Sequence, residues 1–149
     1  MVKKASADLP DKIDARERDY LFIKPSQIPG AQNGLFTSIP VFENEVISLF
    51  KGEILSGKEA KQRATDHMDG YFINMPDGSI MDSKNTKCFA KYANDAEAYR
   101  KSAFKNNAKI ALDENNNVCL VALRDIKTYE EIFCSYGKAY WKNVNKRKQ

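Results

Sequence analysis

Several features that would narrow the function are scarce in this chain of 149 residues. It has one histidine, His67, and three cysteines, none of which form a Cys-x-x-Cys pair. Structural zinc sites use about four nitrogen and sulfur ligands at short spacings, so we expect no zinc. No apolar run approaches the roughly 18 residues of a membrane span, and none follows the N-terminal lysines as in a signal peptide. We therefore expect an intracellular protein without metal or membrane contact.

The cysteine pattern does not favour disulfides. Cys88, Cys119 and Cys134 are odd in number, and the last two lie beside apolar residues. Free cysteine is among the residue types most often buried. We therefore predict reduced thiols in the interior.

The excess of positive over negative charge is also small, since the formal net charge is +4. Much of this excess lies at the two ends, at residues 3–4 and 142–148. Such runs are usually solvated tails, and they also attract an acidic or nucleic-acid-associated partner over long range. This charge does not establish nucleic-acid binding, so a basic nucleic-acid-associated adaptor remains an alternative function.

The chain length fits one domain, and its pattern is that of many short strands. Asn33-Gly34 predicts a tight hairpin turn, and Pro76-Asp77-Gly78 predicts another. The predicted class is mostly β. Apolar runs between turn residues predict strands at residues 20–23, 35–38, 46–52, 71–75, 79–82, 108–112, 118–122 and 131–136.

Helices are few in this pattern. Residues 56–68 are the best candidate, because Ser56 and Glu59 match a capping box, and residues 86–93 suggest a short second helix. Residues 1–18 are polar, and we expect them to be loosely packed. The predicted division is an N-terminal extension at 1–18, one domain at 19–141 and a basic tail at 142–149.

The most specific motif lies near the C-terminus, in residues 121–127 (VALRDIK) and 130–141 (EEIFCSYGKAYW). Together they closely resemble the C-terminal signature of the SET-domain protein-lysine methyltransferases. That signature has an Ala-x-Arg-Asp-Ile strand end, paired glutamates, an apolar strand and a Tyr-Gly-x-x-Tyr-Trp segment. The family usually has glycine where Tyr129 stands, which predicts a modified turn.

Two earlier segments resemble the same family in the same order. Residues 30–37 (GAQNGLFT) resemble its glycine loop, with Gln32 where a second glycine is common. Glycines let the main chain approach a ligand closely, although a plain hairpin turn is the alternative. Residues 70–82 resemble the central hairpin of the family, whose aromatic residue lines a lysine channel. Packing of Tyr71 and Phe72 in the core is the alternative there.

A further segment, residues 88–96 (CFAKYANDA), resembles the family segment that ends in Asn-His-Ser. Asp95 replaces the histidine, and an ionised aspartate cannot reproduce the donor pattern of histidine. Either Asn106 or Asn107 matches the second asparagine of the family. The alternative is that these are ordinary loop asparagines.

The resemblance implies a β-clip-like SET fold of several small curved sheets, with short helices and a knot-like C-terminal threading. It implies S-adenosylmethionine as cofactor and transfer of its methyl group to the neutral amine of a lysine in a narrow channel. By the same resemblance, Tyr136 and Tyr71 are the catalytic candidates. The channel candidates are Tyr71, Phe72, Cys134 and Tyr140. The cofactor-binding candidates are Ala31, Gln32, Asn33, Gly34, Asn94, Asp95, Tyr136, Tyr140 and Trp141.

No cysteine-rich segment follows Trp141, so another element must close the channel: the tail, a partner chain or the substrate. The thiol of Cys134 is small, which predicts a channel that accepts an already methylated lysine, with core packing as the alternative. A histone tail is the leading substrate by resemblance, which implies the nucleus or a host nucleus; otherwise we expect the cytoplasm. A homodimer and a catalytically inactive SET-like peptide-binding module also remain open.

Overall fold

The computed structural model describes residues 9–98 and 102–135 as a mostly β protein. The N-terminal half contains β1 (Asp11–Lys12), α1 (Glu17–Tyr20), β2 (Leu21–Pro25), β3 (Asn33–Thr37), β4 (Glu45–Leu49) and β5 (Glu53–Leu55). Then follow α2 (Gly57–Thr65), β6 (Phe72–Asn74), β7 (Ile80–Asp82) and two 3-10 helical turns, Ala90–Tyr92 and Ala96–Ala98. The described part ends with β8 (Ala108–Leu112), β9 (Val118–Ala122) and β10 (Glu131–Ile132).

These strands form three small sheets, with strand orders β1-β4-β9-β8, β10-β3-β2 and β5-β7-β6. The predicted mostly β class is confirmed. The central core contains side chains from all three sheets, among them the fully buried Leu35, Ile47, Leu120 and Ile132. Burial of such side chains from water is the main favourable term in folding.

Two hairpins form as predicted. Strands β8 and β9 pair from Ala108 with Ala122 to Leu112 with Val118. Strands β6 and β7 pair across a turn in which Gly78 has a φ of +93°. Glycine adopts positive φ without steric cost, which explains the turn.

The predicted Asn33-Gly34 turn is wrong. Both residues lie inside β3, where they pair with Pro25 and Lys24 of β2. The connection is longer, and Gly30 adopts the positive φ, at +88°. Gly34 is needed for space, because an added Cβ atom would collide with the carboxylate of Glu131.

The long helix is shorter than predicted but begins as predicted. The Glu59 amide donates to Ser56 Oγ at 3.1 Å, and the Ser56 amide donates to Glu59 Oε1 at 2.9 Å. This capping box satisfies amides that lack partners within the helix. In place of the predicted helix at 86–93, only the 3-10 turn Ala90–Tyr92 forms.

The expected loose packing of residues 1–18 does not hold at three described positions. Asp11 and Lys12 pair in parallel with β4. The Glu17 carboxylate accepts hydrogen bonds from Ser48 Oγ at 2.6 Å and from the Leu49 amide at 2.9 Å. Residues 1–8 and 142–149 lie outside the described part, and the domain boundaries remain a prediction.

The last described segment joins separate parts of the chain. Strand β10 pairs with β3, and isolated bridges join Phe133 to Asn94 and Cys134 to Ala108. Before it, Tyr129 has a φ of +67°, in the left-handed region that favours glycine. The modified turn at this position stays a prediction. The expected knot-like threading involves residues after 135, outside the described part.

All three cysteines are free and buried, as predicted. Burial, with smaller contributions from Asp113 and Glu17, raises the pKa of Cys119 to about 12. Burial and then the charge of Asp95 also raise the pKa of Cys134.

We therefore expect the native thiols to react slowly with a thiol reagent at about pH 8, because the thiolate is the reactive form. Absorbance of the released chromophore should show three reactive thiols only after denaturant is added. Rapid reaction of two or more thiols in the native chain would contradict their burial.

Candidate active site

Three segments that are distant in sequence meet around one pocket of about 710 Å³. They are the loop at 30–33, the start of the central hairpin at 70–73 and residues 91–95, with Ala98 at the edge. The sequence had assigned a site role to each of these segments. The structure therefore brings together Ala31, Gln32, Asn33, Tyr71, Phe72, Asn94 and Asp95.

A buried carboxylate holds the base of the glycine loop. Glu131 is fully buried, and its Oε2 and Oε1 atoms accept hydrogen bonds from Ser26 Oγ at 2.7 Å and from the Gln27 amide at 2.8 Å. Ser26 Oγ also accepts from the Ile28 amide at 3.1 Å. The main chain is thus fixed just before residues 30–33. Gly34 does not line the pocket; it leaves room for this carboxylate.

Asn94 links the glycine loop to the C-terminal segment. Its side-chain Nδ2 donates to the main-chain carbonyl of Asn33 at 2.9 Å. The main-chain carbonyl of Asn94 accepts a hydrogen bond from the Cys134 amide at 2.8 Å. The side chain therefore positions the pocket wall through a protein contact. Direct contact between Asn94 and a cofactor remains a prediction.

Asp95 lies in the pocket wall and is half-buried. Its Oδ1 accepts hydrogen bonds from the Glu97 amide and from Asn106 Nδ2, both at 3.0 Å. The Asn106 Oδ1 atom in turn accepts from the Ala96 amide at 2.8 Å. These contacts fix the carboxylate in place, and they account for Asn106 as a support of this loop.

Asn107 has a different role from Asn106. It is fully buried, its Nδ2 donates to the Glu131 carbonyl at 2.9 Å, and its Oδ1 accepts from the Phe133 amide at 2.8 Å. The amides of Asn107 and Ala108 also donate to the Phe133 carbonyl, each at 3.0 Å. One buried amide thus satisfies main-chain groups of the segment that continues to Tyr136.

Lys91 places a cation beside the aromatic wall. Its Nζ lies 5.5 Å from the ring centroids of both Tyr71 and Tyr92, within the range of cation–π attraction. The same ammonium donates at 3.0 to 3.1 Å to the backbone carbonyls of Ser83, Lys84 and Thr86. Tyr71 itself is 40% exposed, so it is accessible from solvent and is not core packing.

Sequence reasoning missed the roles of Lys91, Glu131 and Asn107. Lys91 and Glu131 were part of quoted motifs without a role, and Asn107 was not distinguished from Asn106. That Glu131 needs partners could have been predicted from the sequence. It lies beside Ile132 and Phe133 on a predicted strand, and a carboxylate buried with such residues needs hydrogen-bond partners.

Cys134 lies in the central core and is fully buried. Within the part of the chain that the structure describes, Cys134 does not line the pocket. Its position there agrees with the alternative that its side chain packs in the core. Its predicted roles in the lysine channel and in the number of methyl groups stay predictions. Tyr136, Tyr140 and Trp141 lie outside the described residues.

Within residues 9–98 and 102–135, no group of three or more His, Cys, Asp and Glu side chains could hold a metal ion. The helices within the same ranges are too short or too polar to cross a bilayer.

Comparison with known families identifies the domain. The model of the SET domain family matches residues 32–137, which include most of the pocket wall. The chain belongs to the SET domain family. Members of this family are typically protein-lysine methyltransferases.

Solved structures share the fold of this SET domain. A humanized mutant of the Chaetomium thermophilum Polycomb Repressive Complex 2 bound to an inhibitor matches 78% of the chain, with 24% identity and a TM-score of 0.65. An apo ctPRC2 with two mutations in Ezh2 matches 85%, with 25% identity and a TM-score of 0.64. The SET domain spans only 15% and 16% of those two chains. The predicted SET fold is confirmed.

Proposed function

We propose that this SET domain is an S-adenosylmethionine-dependent protein-lysine N-methyltransferase. The observation that carries the proposal is that the glycine loop, the aromatic hairpin and the Asn94-Asp95 segment meet around the same pocket. A methyltransferase must bring its cofactor and the target lysine together. This pocket has polar lining residues that suit a cofactor and aromatic lining residues that suit a lysine.

The pocket suits the proposed cofactor. Its volume of about 710 Å³ falls within the range of about 300–1,000 Å³ that is usual for small-molecule sites. The loop at 30–33 offers main-chain groups, and Asn94 and Asp95, from a distant part of the sequence, offer polar side chains. When bound, S-adenosylmethionine supplies a sulfonium methyl group that an amine can attack.

The aromatic wall suits the target lysine. Tyr71 and Phe72 offer faces for the apolar stem of a lysine and for its amine. Free lysine has a pKa of about 10.4, so its amine must lose a proton before it can attack. The ammonium of Lys91 lies 5.5 Å from the Tyr71 ring centroid and disfavours a second cation beside it. Tyr136 is proposed to orient the methyl group.

A histone tail is the proposed substrate, with a nuclear or host-nuclear location. The support is the likeness to chains of the Polycomb Repressive Complex 2, which share the fold at 24% and 25% identity. Incubation with labelled cofactor and a panel of histones and ribosomal proteins tests both the activity and the substrate. Label on a ribosomal protein alone would support the methyltransferase and refute the histone assignment.

A catalytically inactive SET-like module that binds a peptide is the second candidate. Asp95 in place of histidine and Gln32 in place of glycine favour it. The two functions differ in their response to S-adenosylmethionine, because a ligand of the native state raises stability by about 2.7 kcal/mol at 100 times its Kd. No thermal shift with S-adenosylmethionine, together with binding of a histone peptide, would favour the inactive module.

The Asn94→Ala variant is expected to bind S-adenosylmethionine about 5- to 150-fold more weakly, the effect of about 1–3 kcal/mol when a polar group of the bound cofactor is buried without its partner. Alanine leaves the Asn33 carbonyl without its donor, so the glycine loop is no longer held against the C-terminal segment. Titration calorimetry measures this affinity. Asn115→Ala is the matched control, since Asn115 is exposed on the β8–β9 turn. Equal affinity of the Asn94→Ala variant and wild type would remove Asn94 from the site.

A further inference from the structure

The pocket wall carries two charged side chains of opposite sign. Among the described residues that line the pocket, only Lys91 and Asp95 have a formal charge at neutral pH. Lys91 lies at the aromatic hairpin, between Tyr71 and Tyr92. Asp95 lies at the other end of the same segment, where Asn106 holds its carboxylate. The pocket therefore has a negative part and a positive part.

We propose that the Asp95 carboxylate makes the pocket prefer S-adenosylmethionine to S-adenosylhomocysteine, the product of the transfer. This inference rests on the proposed function. In the transfer, the bond between sulfur and the methyl carbon breaks while the amine nitrogen forms a bond to that carbon. The sulfonium becomes a neutral thioether, and the positive charge leaves on the methylated amine. The two ligands thus differ by one methyl group and one positive charge.

A fixed negative charge in the wall distinguishes these two ligands. Asp95 cannot turn away easily, because its Oδ1 accepts from the Glu97 amide and from Asn106 Nδ2. It attracts the sulfonium and gives no such attraction to the thioether, so the spent cofactor leaves more readily. In a partly solvated pocket, one unit charge in the wall changes the affinity for a cation by about 3- to 10-fold.

Lys91 acts in the opposite direction but more weakly. Its ammonium repels a sulfonium, yet it donates to three backbone carbonyls, whose partial negative charges offset part of its field. Substitutions at the two residues are therefore expected to change the ratio of the two ligand affinities in opposite directions. Loss of the Asp95 charge lowers the preference for S-adenosylmethionine, and loss of the Lys91 charge raises it.

The test is titration calorimetry of both ligands at neutral pH and low salt, since salt screens exposed charges. Asp95→Asn keeps an oxygen for the two donors and removes only the charge. We expect it to lower the ratio of the two affinities about 3- to 10-fold, mainly through weaker binding of S-adenosylmethionine. Glu97→Gln is the matched control: Glu97 is exposed, does not line the pocket, and accepts from the Asn106 amide with an oxygen that glutamine retains.

Lys91→Met keeps most of the side-chain length and tests the opposite sign, even if Asp95→Asn folds poorly. A higher ratio in Lys91→Met supports the inference. An unchanged ratio in Asp95→Asn, an equal decrease in Glu97→Gln, or the absence of an increase in Lys91→Met would overturn it. If the wild-type chain binds neither ligand, the proposed function itself fails. If it binds both and only the ratio is insensitive to Asp95, the inference alone fails.

Discussion

The Tyr136→Phe variant is expected to transfer methyl groups at least about 100-fold more slowly than wild type, while its affinity for S-adenosylmethionine stays unchanged. The resemblance assigns the Tyr136 hydroxyl a place beside the transferred methyl group, and phenylalanine removes this hydroxyl alone. A group that acts mainly in the transition state affects the rate more than ligand binding. Single-turnover transfer to a histone substrate, with calorimetry of the cofactor, separates the two effects.

Tyr129→Phe is the matched control for this variant. Tyr129 is 67% exposed on the turn before β10, and its ring contacts Phe22 at a centroid distance of 6.4 Å. Loss of its hydroxyl should leave both rate and affinity unchanged. Near-normal turnover in Tyr136→Phe would refute the role of Tyr136, whereas equal losses in both variants would point to a general effect on the fold.

The Asn107→Ala variant is expected to lower the free energy of unfolding by about 2–4 kcal/mol, because two buried main-chain groups lose their partners. These groups are the Phe133 amide and the Glu131 carbonyl, which the Asn107 amide contacts at 2.8 and 2.9 Å. Because the same segment continues to Tyr136, we expect the transfer rate to fall as well, even where the variant is fully folded. Urea unfolding measures the stability, and single-turnover transfer measures the rate.

Asn115→Ala is the control here also, since Asn115 is an exposed asparagine near Asn107 in sequence. It should change stability by less than about 0.5 kcal/mol, as is usual for surface substitutions. Asn107→Asp adds a second test. It keeps an acceptor for the Phe133 amide but sets a carboxylate oxygen against the Glu131 carbonyl, so its loss should be similar to that of alanine. A stable Asn107→Asp variant would contradict the hydrogen-bond arrangement.

Local signals predicted local structure well. The β8–β9 hairpin follows from two apolar runs around residues 113–117, and the start of α2 follows from Ser56 and Glu59, three residues apart. In both cases the residues that decide the structure are close in sequence. The motifs in order along the chain were also sufficient to indicate the family, which the match to residues 32–137 confirms.

Local sequence patterns gave a wrong prediction where a residue distant in sequence determines the local structure. Asn33-Gly34 is a strong turn signal by itself, yet it lies in a strand between β2 and β10. The glycine there leaves room for Glu131, almost a hundred residues later in the chain. Turn propensity is a weak preference, and pairing on both sides of a strand with a buried carboxylate outweighs it.

The mostly β class and the three segments of the pocket wall could be predicted from short stretches of sequence, and the family from the order of its motifs along the chain. The polar side chains that support the pocket wall could be identified only in the folded structure. Glu131 holds the loop base, Asn107 holds the last strand, and Lys91 and Asp95 give the pocket its two charges. The physical reason is that a buried polar group must find hydrogen-bond partners, and here those partners come from parts of the chain that meet only after folding.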